Sequence, residues 1–154
     1  MAVVPYLACM LAVSRLYALP PRVLPSIQKV EAGVPGTISR NRNGTADLGV
    51  MQINTRWLPH LAASWRLGHD DVARRLIAEP CFNIASAGAI MRIYLNEARG
   101  DVVQAVGFYH SHTPERASAY QIKVIRAAAK LFGPSKKPTE MRPKGVPARS
   151  APAR

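Results

Sequence analysis

The sequence predicts an α+β domain that is predominantly α-helical, with one small hairpin or irregular region after its second helix. Apolar residues recur at helical spacing over most of the chain before residue 134. That period disappears from Gly36 to Asn54, where Asn43-Gly44 is a hairpin-type turn signal. The chain has 154 residues and is 48% hydrophobic, which suits one domain with one buried core.

Each element has its own start and stop. Residues 6–18 put Leu7, Met10, Leu11 and Val13 on one helical face, and Pro20-Pro21 ends that helix and opens another. In the second helix, about 21–32, Leu24, Ile27 and Glu31 share a face, and Gly33 is the expected stop. Leu48 to Ile53 reads as a short strand or extended loop. Helical pattern resumes at about 60–67, and again from Asp70-Asp71 to Ala78, where paired acids suit a helix N-terminus. The longest run, Cys81 to about Ala98, is the expected central helix. A short helix after Gly100-Asp101 carries Val102, Val103 and Val106. Thr113-Pro114 then caps a last helix lined by Tyr120, Val124, Ala128 and Leu131.

The C-terminal segment is different in kind. Five prolines (Pro134, Pro138, Pro143, Pro147, Pro152) alternate with Lys and Arg, so 1–133 is the expected folded unit and 134–154 a disordered basic tail. The tail's six basic residues and one acid give it +5 of the chain's +12, leaving +7 on the rest. Those charges are scattered, with no basic stripe or interleaved aromatics, which argues against specific nucleic-acid binding. A polyanionic wall polymer or an anionic surface would attract the same charge. The apolar run 2–13 is too short to span a bilayer and reads as a first core helix rather than a signal peptide, and no transmembrane segment is expected. Cys9 and Cys81 cannot form a cysteine-only zinc site; they are either two buried thiols or one disulfide.

With nine acidic residues, the carboxylates can be taken one at a time. Asp70, Asp71, Asp101 and Glu115 sit at helix starts, Glu79 precedes a proline, Glu97 is near a helix end and Glu140 is in the tail. Glu31 and Asp47 remain. A carboxyl on the face of Leu24 and Ile27 is either desolvated, which raises its pKa toward that of a general acid, or a partly exposed acid of the last helical turn, salt-bridged to Lys29 or an arginine. His110 and His112 flank Ser111, but no further ligands are obvious, so no metal is expected, and no cofactor.

The motifs around Glu31 extend this reading. Glu31-Ala32-Gly33 followed by Gly49-Val50-Met51-Gln52-Ile53-Asn54 resembles the lysozyme-like lytic transglycosylases. Asn41-Arg42-Asn43-Gly44, Asp47-Leu48-Gly49, Pro80 to Ile84 and Ala105 to Ser111 are similar to the small type associated with type III and type IV secretion and conjugation systems. The resemblance covers about residues 9–130. It implies a lysozyme-like fold, peptidoglycan glycan strands as substrate, and Glu31 as the single catalytic acid and base. It implies that Gly49, Met51, Gln52 and Asn54 form the glycan-binding loop, with Met51 and Gln52 facing the sugar, and that Tyr109 lies near the Glu31 carboxylate. Ser39, Asp47, Asn83 and Tyr120 are supporting candidates. It also implies a Cys9–Cys81 disulfide, a periplasmic or envelope location, and secretion or conjugation components as partners of a monomer.

One position departs from the family pattern. Ala32 stands where most relatives have serine, removing a hydroxyl that could bond the carboxylate; Ser39 or Tyr109 is the expected substitute. Cleavage between N-acetylmuramic acid and N-acetylglucosamine by one carboxylate would yield a 1,6-anhydro sugar. The alternatives are a hydrolytic muramidase using Glu31 with Asp47, and a non-catalytic peptidoglycan-binding assembly factor, which Ala32 keeps open.

Overall fold

The computed structural model describes residues 3–133. The expected tail, 134–154, lies outside the described residues. Seven helices are described: α1 (Leu7–Leu16), α2 (Val23–Glu31), α3 (Leu58–Trp65), α4 (His69–Ala78), α5 (Pro80–Glu97), α6 (Val102–His110) and α7 (Pro114–Phe132). Between α2 and α3 lie β1 (Ile38–Arg40), β2 (Ala46–Leu48), β3 (Ile53–Asn54) and a single 3₁₀ turn, Thr55–Trp57. The strands form one antiparallel sheet in the order β1-β2-β3, with Ser39 opposite Asp47 and Asp47 opposite Asn54.

The hairpin forms at the turn signal read from the sequence. Asn43 Oδ1 accepts from the Thr45 amide at 3.1 Å, and Gly44 takes the left-handed conformation at φ 83°. After β2 the chain returns at Gly49 to the end of α2, where it meets Gly33.

Helix α5 is central. Ile84, Ala87, Ile90, Met91, Tyr94 and Leu95 are all buried, on more than one side of the helix, and α1, α4 and α6 pack around it. Pro80 occupies its first turn, where a missing N–H costs nothing. Asp101 caps α6 by accepting from the Gln104 amide at 2.9 Å. Thr113 occupies the N-cap position of α7 without using its side chain as a cap. The Cys9–Cys81 disulfide is formed, with Cα atoms 5.6 Å apart, and ties α1 to the first turn of α5. No single described helix is long and apolar enough to cross a membrane.

Three expectations need correction. The inward face of α1 is Met10, Val13 and Ser14, while Leu7 and Leu11 are about 40% exposed; a helix apolar all round does not reveal which side meets its neighbour. Val103 is exposed while Val106 is buried, since the inward face of α6 is set by Ala105 and Val106 and Val103 lies to one side of it. Helix α2 is stopped by Ala32, which is left-handed at φ 53°, with its amide donating to Gln28 O at 2.8 Å. Gly33 serves another purpose: a Cβ there would run into the backbone carbonyl of Gly49.

Candidate active site

Glu31 is the last residue of α2, on the face whose Leu24 and Ile27 are fully buried. Burial raises its carboxyl above the usual range, the Asp47 charge raises it further, and a hydrogen bond from Tyr120 and the Lys123 charge pull the other way. The net shift is upward, toward a carboxyl that holds its proton. Tyr120 Oη, from the buried face of α7, donates to Glu31 Oε1 at 2.6 Å. Tyr120 is itself held protonated by burial and by the neighbouring carboxylate, so it stays a donor.

The loop after β2 is fixed to that helix end from behind. Gly33 and Gly49 meet backbone to backbone, and a Cβ on Gly49, at φ 67°, would collide with the Leu76 carbonyl and the Asn83 amide. Asn83 is wholly buried and uses both ends of its amide. Its Oδ1 accepts from Met51 N at 3.0 Å, and its Nδ2 donates to Leu48 O and Leu76 O, both at 2.8 Å. Tyr109 Oη donates to Met51 O at 2.8 Å. Gln52, left-handed at φ 51°, donates from Nε2 to Gly49 O at 2.9 Å.

This geometry changes several assignments. The Met51 side chain is fully buried and fills the core, so it does not face a sugar; only its backbone serves the loop. Close packing against α4 and α5 demands glycine at position 49. Tyr109 lies near Glu31 as expected, within reach of its charge, but its hydroxyl holds the loop; the phenol that bonds the carboxylate is Tyr120. Neither Ser39 nor any other hydroxyl near Ala32 bonds Glu31, so Tyr120 supplies the contact expected from serine. A tyrosine on the otherwise aliphatic face of the last helix was the available signal for it.

Glu31 opens into a groove of about 500 Å³. Asn41, Asp47, Gln52, Asn54, Arg56 and Trp57 line it from the sheet side; Tyr109 to Thr113 and Arg116 line it from the α6–α7 junction. Asp47 has both oxygens engaged, by Asn41 Nδ2 at 3.0 Å and Asn54 Nδ2 at 2.9 Å. Asn54 also accepts from Arg56 N at 3.0 Å, capping the 3₁₀ turn. The two histidines are groove residues. His110 stacks flat on Tyr120, 4.8 Å between centroids at 6°, and His112 stacks on Phe108 with its Nε2 2.7 Å from Glu97 Oε1. No cluster of metal-ligating side chains occurs among the described residues.

A carboxyl with a raised pKa at the head of a polar groove, in a helical domain with a three-stranded sheet inserted after its second helix, has the makings of an enzyme that cleaves glycosidic bonds. Residues 8–130 match the transglycosylase SLT domain, and the chain belongs to that family, with a lysozyme-like fold and the lytic transglycosylase activity that acts on peptidoglycan. The chain is similar to the invasion protein IagB of Salmonella typhimurium, in strains SL1344 and LT2. Identity is 30% over 136 residues, spanning 82% of this chain and 79% of that protein. The invasion protein IagB of Salmonella typhi is 30% identical over 115 residues, 71% of this chain and 66% of its own.

Proposed function

We propose that this chain cleaves the β-1,4 bond between N-acetylmuramic acid and N-acetylglucosamine without water, leaving a 1,6-anhydro end. Neutral Glu31 donates its proton to the bridging oxygen as the bond from muramic C1 breaks, and the acetamido oxygen of the same sugar closes onto C1. The Glu31 carboxylate then takes the proton of the 6-hydroxyl as that oxygen attacks C1, which reopens the acetamido ring and restores the acid. One carboxyl thus serves twice, and Tyr120 steadies it in its ionised phase.

The observation that carries this reading is the contrast between the groove's two carboxylates. Glu31 is biased toward its protonated form, while Asp47 is bonded at both oxygens by asparagine amides. A glycosidase nucleophile or general base must attack the sugar or take a water proton, whereas two amide bonds tie the Asp47 carboxylate into the hairpin. Asp47 reads instead as the brace that ties β2 to its neighbours.

The same reading places the enzyme in the periplasm or cell envelope, opening the wall locally for a secretion or conjugation apparatus. Its support is the likeness to relatives named invasion proteins. Cleavage would reside in 1–133, with the +5 tail adding attraction to anionic wall polymers. Digestion of purified sacculi followed by mass analysis of the muropeptides tests the chemistry. The expected ends lack one water; reducing ends alone would sink the transglycosylase mechanism in favour of hydrolysis.

A further inference from the structure

We propose that Arg56 and Arg116 form a carboxylate-binding site in the glycan groove, recognising the acidic substituent that muramic acid carries on its lactyl group. The inference rests on the peptidoglycan reading of the groove and adds what part of the polymer is read there.

The groove's two carboxylates and two arginines differ sharply in how they are partnered. Both carboxylates have hydrogen-bond partners within the protein, Glu31 through Oε1 to Tyr120 and Asp47 through both oxygens to Asn41 and Asn54. The arginines do not. Both are exposed, both line the groove, and among the described residues neither guanidinium has a hydrogen-bond or ion-pair partner. Arg56 projects from the 3₁₀ turn after β3, where Asn54 caps its amide, and its charge reaches Tyr94 of α5. Arg116 stands in the first turn of α7, close enough to the neighbouring His110 that its charge, after burial and the Lys123 charge, helps hold that imidazole toward its neutral form. The groove thus carries two unpaired guanidinium groups, one from the sheet side and one from the helix side, each free to meet an anionic group on a bound strand.

The N-acetylated sugars themselves are uncharged. The anionic groups a strand can offer are carboxylates on the muramoyl substituent: those of the peptide stem, or the lactyl carboxylate exposed where a stem has been removed. A planar guanidinium matches a carboxylate with two parallel hydrogen bonds, which is why the chemistry selects this ligand over a hydroxyl or amide. Recognition of the stem would direct the enzyme to strands that still carry peptides, ahead of amidases that strip them.

Binding can be read separately from cleavage by using the full chain with Glu31→Gln. The probes are glycan strands with native stems, the same strands with stem carboxylates chemically amidated, and strands stripped of stems by an amidase. Native strands are expected to bind about tenfold more tightly than amidated ones, a charge-assisted pair being worth about that much. The preference should collapse in Arg56→Gln/Arg116→Gln while affinity for amidated strands stays within about twofold. Stripped strands that bind as tightly as native ones, and lose that affinity in the double variant, would support the site with the lactyl carboxylate as its ligand. Equal binding of all three probes, or a preference unchanged by losing both arginines, overturns it. Because no turnover is involved, the result stands whether or not the wild type leaves anhydro ends.

Discussion

Tyr120 and Glu31 are 89 residues apart in the chain and joined by a 2.6 Å hydrogen bond from the phenol to the carboxylate. The bond joins the end of α2 to the middle of α7, and His110 of α6 stacks on the phenol ring. Three helices thus converge on one carboxyl oxygen. The bond lowers the Glu31 pKa against burial and the Asp47 charge, which both raise it, so Tyr120 keeps the acid able to act as a base in the second step.

Tyr120→Phe is expected to reduce kcat by about 10- to 100-fold, because the carboxyl loses its fixed orientation toward the sugar. The hydrogen bond favours the ionised form, so removing it raises the Glu31 pKa further. The alkaline limb of the rate profile, which reports loss of the general acid, should move to higher pH. Muropeptide release measured across pH checks both effects.

Glu31→Gln should abolish cleavage, with a loss of at least 10²–10⁴-fold (roughly, for general acid catalysis), and also stabilise the fold at neutral pH. The folded pKa of Glu31 lies above its unfolded value. Its contribution to stability is therefore complete below the ordinary carboxylate pKa and is lost as pH rises through the folded value. Glutamine does not ionise and can still accept from Tyr120. Thermal melts should show the variant a few degrees more stable near pH 7, with the gap closing toward about pH 4; a gap that persists in acid would contradict the linkage.

Much of this arrangement is legible in the sequence. Glu31 stands out because an acid follows Leu24 and Ile27 on one helical face, and most helix boundaries coincide within a few residues with a proline, glycine or acidic pair. What was hidden depends on long-range packing. The resemblance puts Tyr109 beside Glu31 and leaves Tyr120 a supporting candidate; the packing of α6 against α7 sends the Tyr109 hydroxyl to Met51 O and that of Tyr120 to Glu31. Met51 lies in a turn, where strand alternation gives no rule for which side chains face inward. Ala32 and Gly33 compete for the helix stop, and glycine is taken by the tighter demand, the approach to Gly49.

Asn83→Ala should destabilise the protein by about 2–4 kcal/mol, since it strands the Met51 amide and two carbonyls in the core and leaves a cavity. Chemical denaturation measures the loss. Cleavage should also fall at temperatures where the variant is folded, because the loop bearing Gln52 and the Tyr109 contact is no longer anchored.

Removing the Cys9–Cys81 bridge, as Cys9→Ser/Cys81→Ser, should cost about 4 kcal/mol, given the 72-residue separation it closes and the entropy released to the unfolded chain. Neither cysteine lines the groove, so the initial cleavage rate at room temperature should be preserved. A melt with and without reductant gives the first number and a sacculus assay the second.

Asp47→Asn separates the one-carboxylate mechanism from its two-carboxylate rival and moves the pH profile opposite to Tyr120→Phe. The substituted amide has a single acceptor oxygen, so one of the two bonds from Asn41 and Asn54 is lost and one NH₂ group is left facing another. That loosens the hairpin, and a rate loss of about tenfold or less is expected, well short of what Glu31→Gln produces. The Asp47 charge raises the Glu31 pKa, so its removal lowers it and the alkaline limb should shift to lower pH. If Asp47 were nucleophile or base, the amide would be nearly as damaging as the change at Glu31, and no small shift of the limb could be seen. Comparing muropeptide release by the two variants over one pH series decides the matter: a modest loss with a downward shift fits a brace, and near-complete inactivity fits a second catalytic carboxylate.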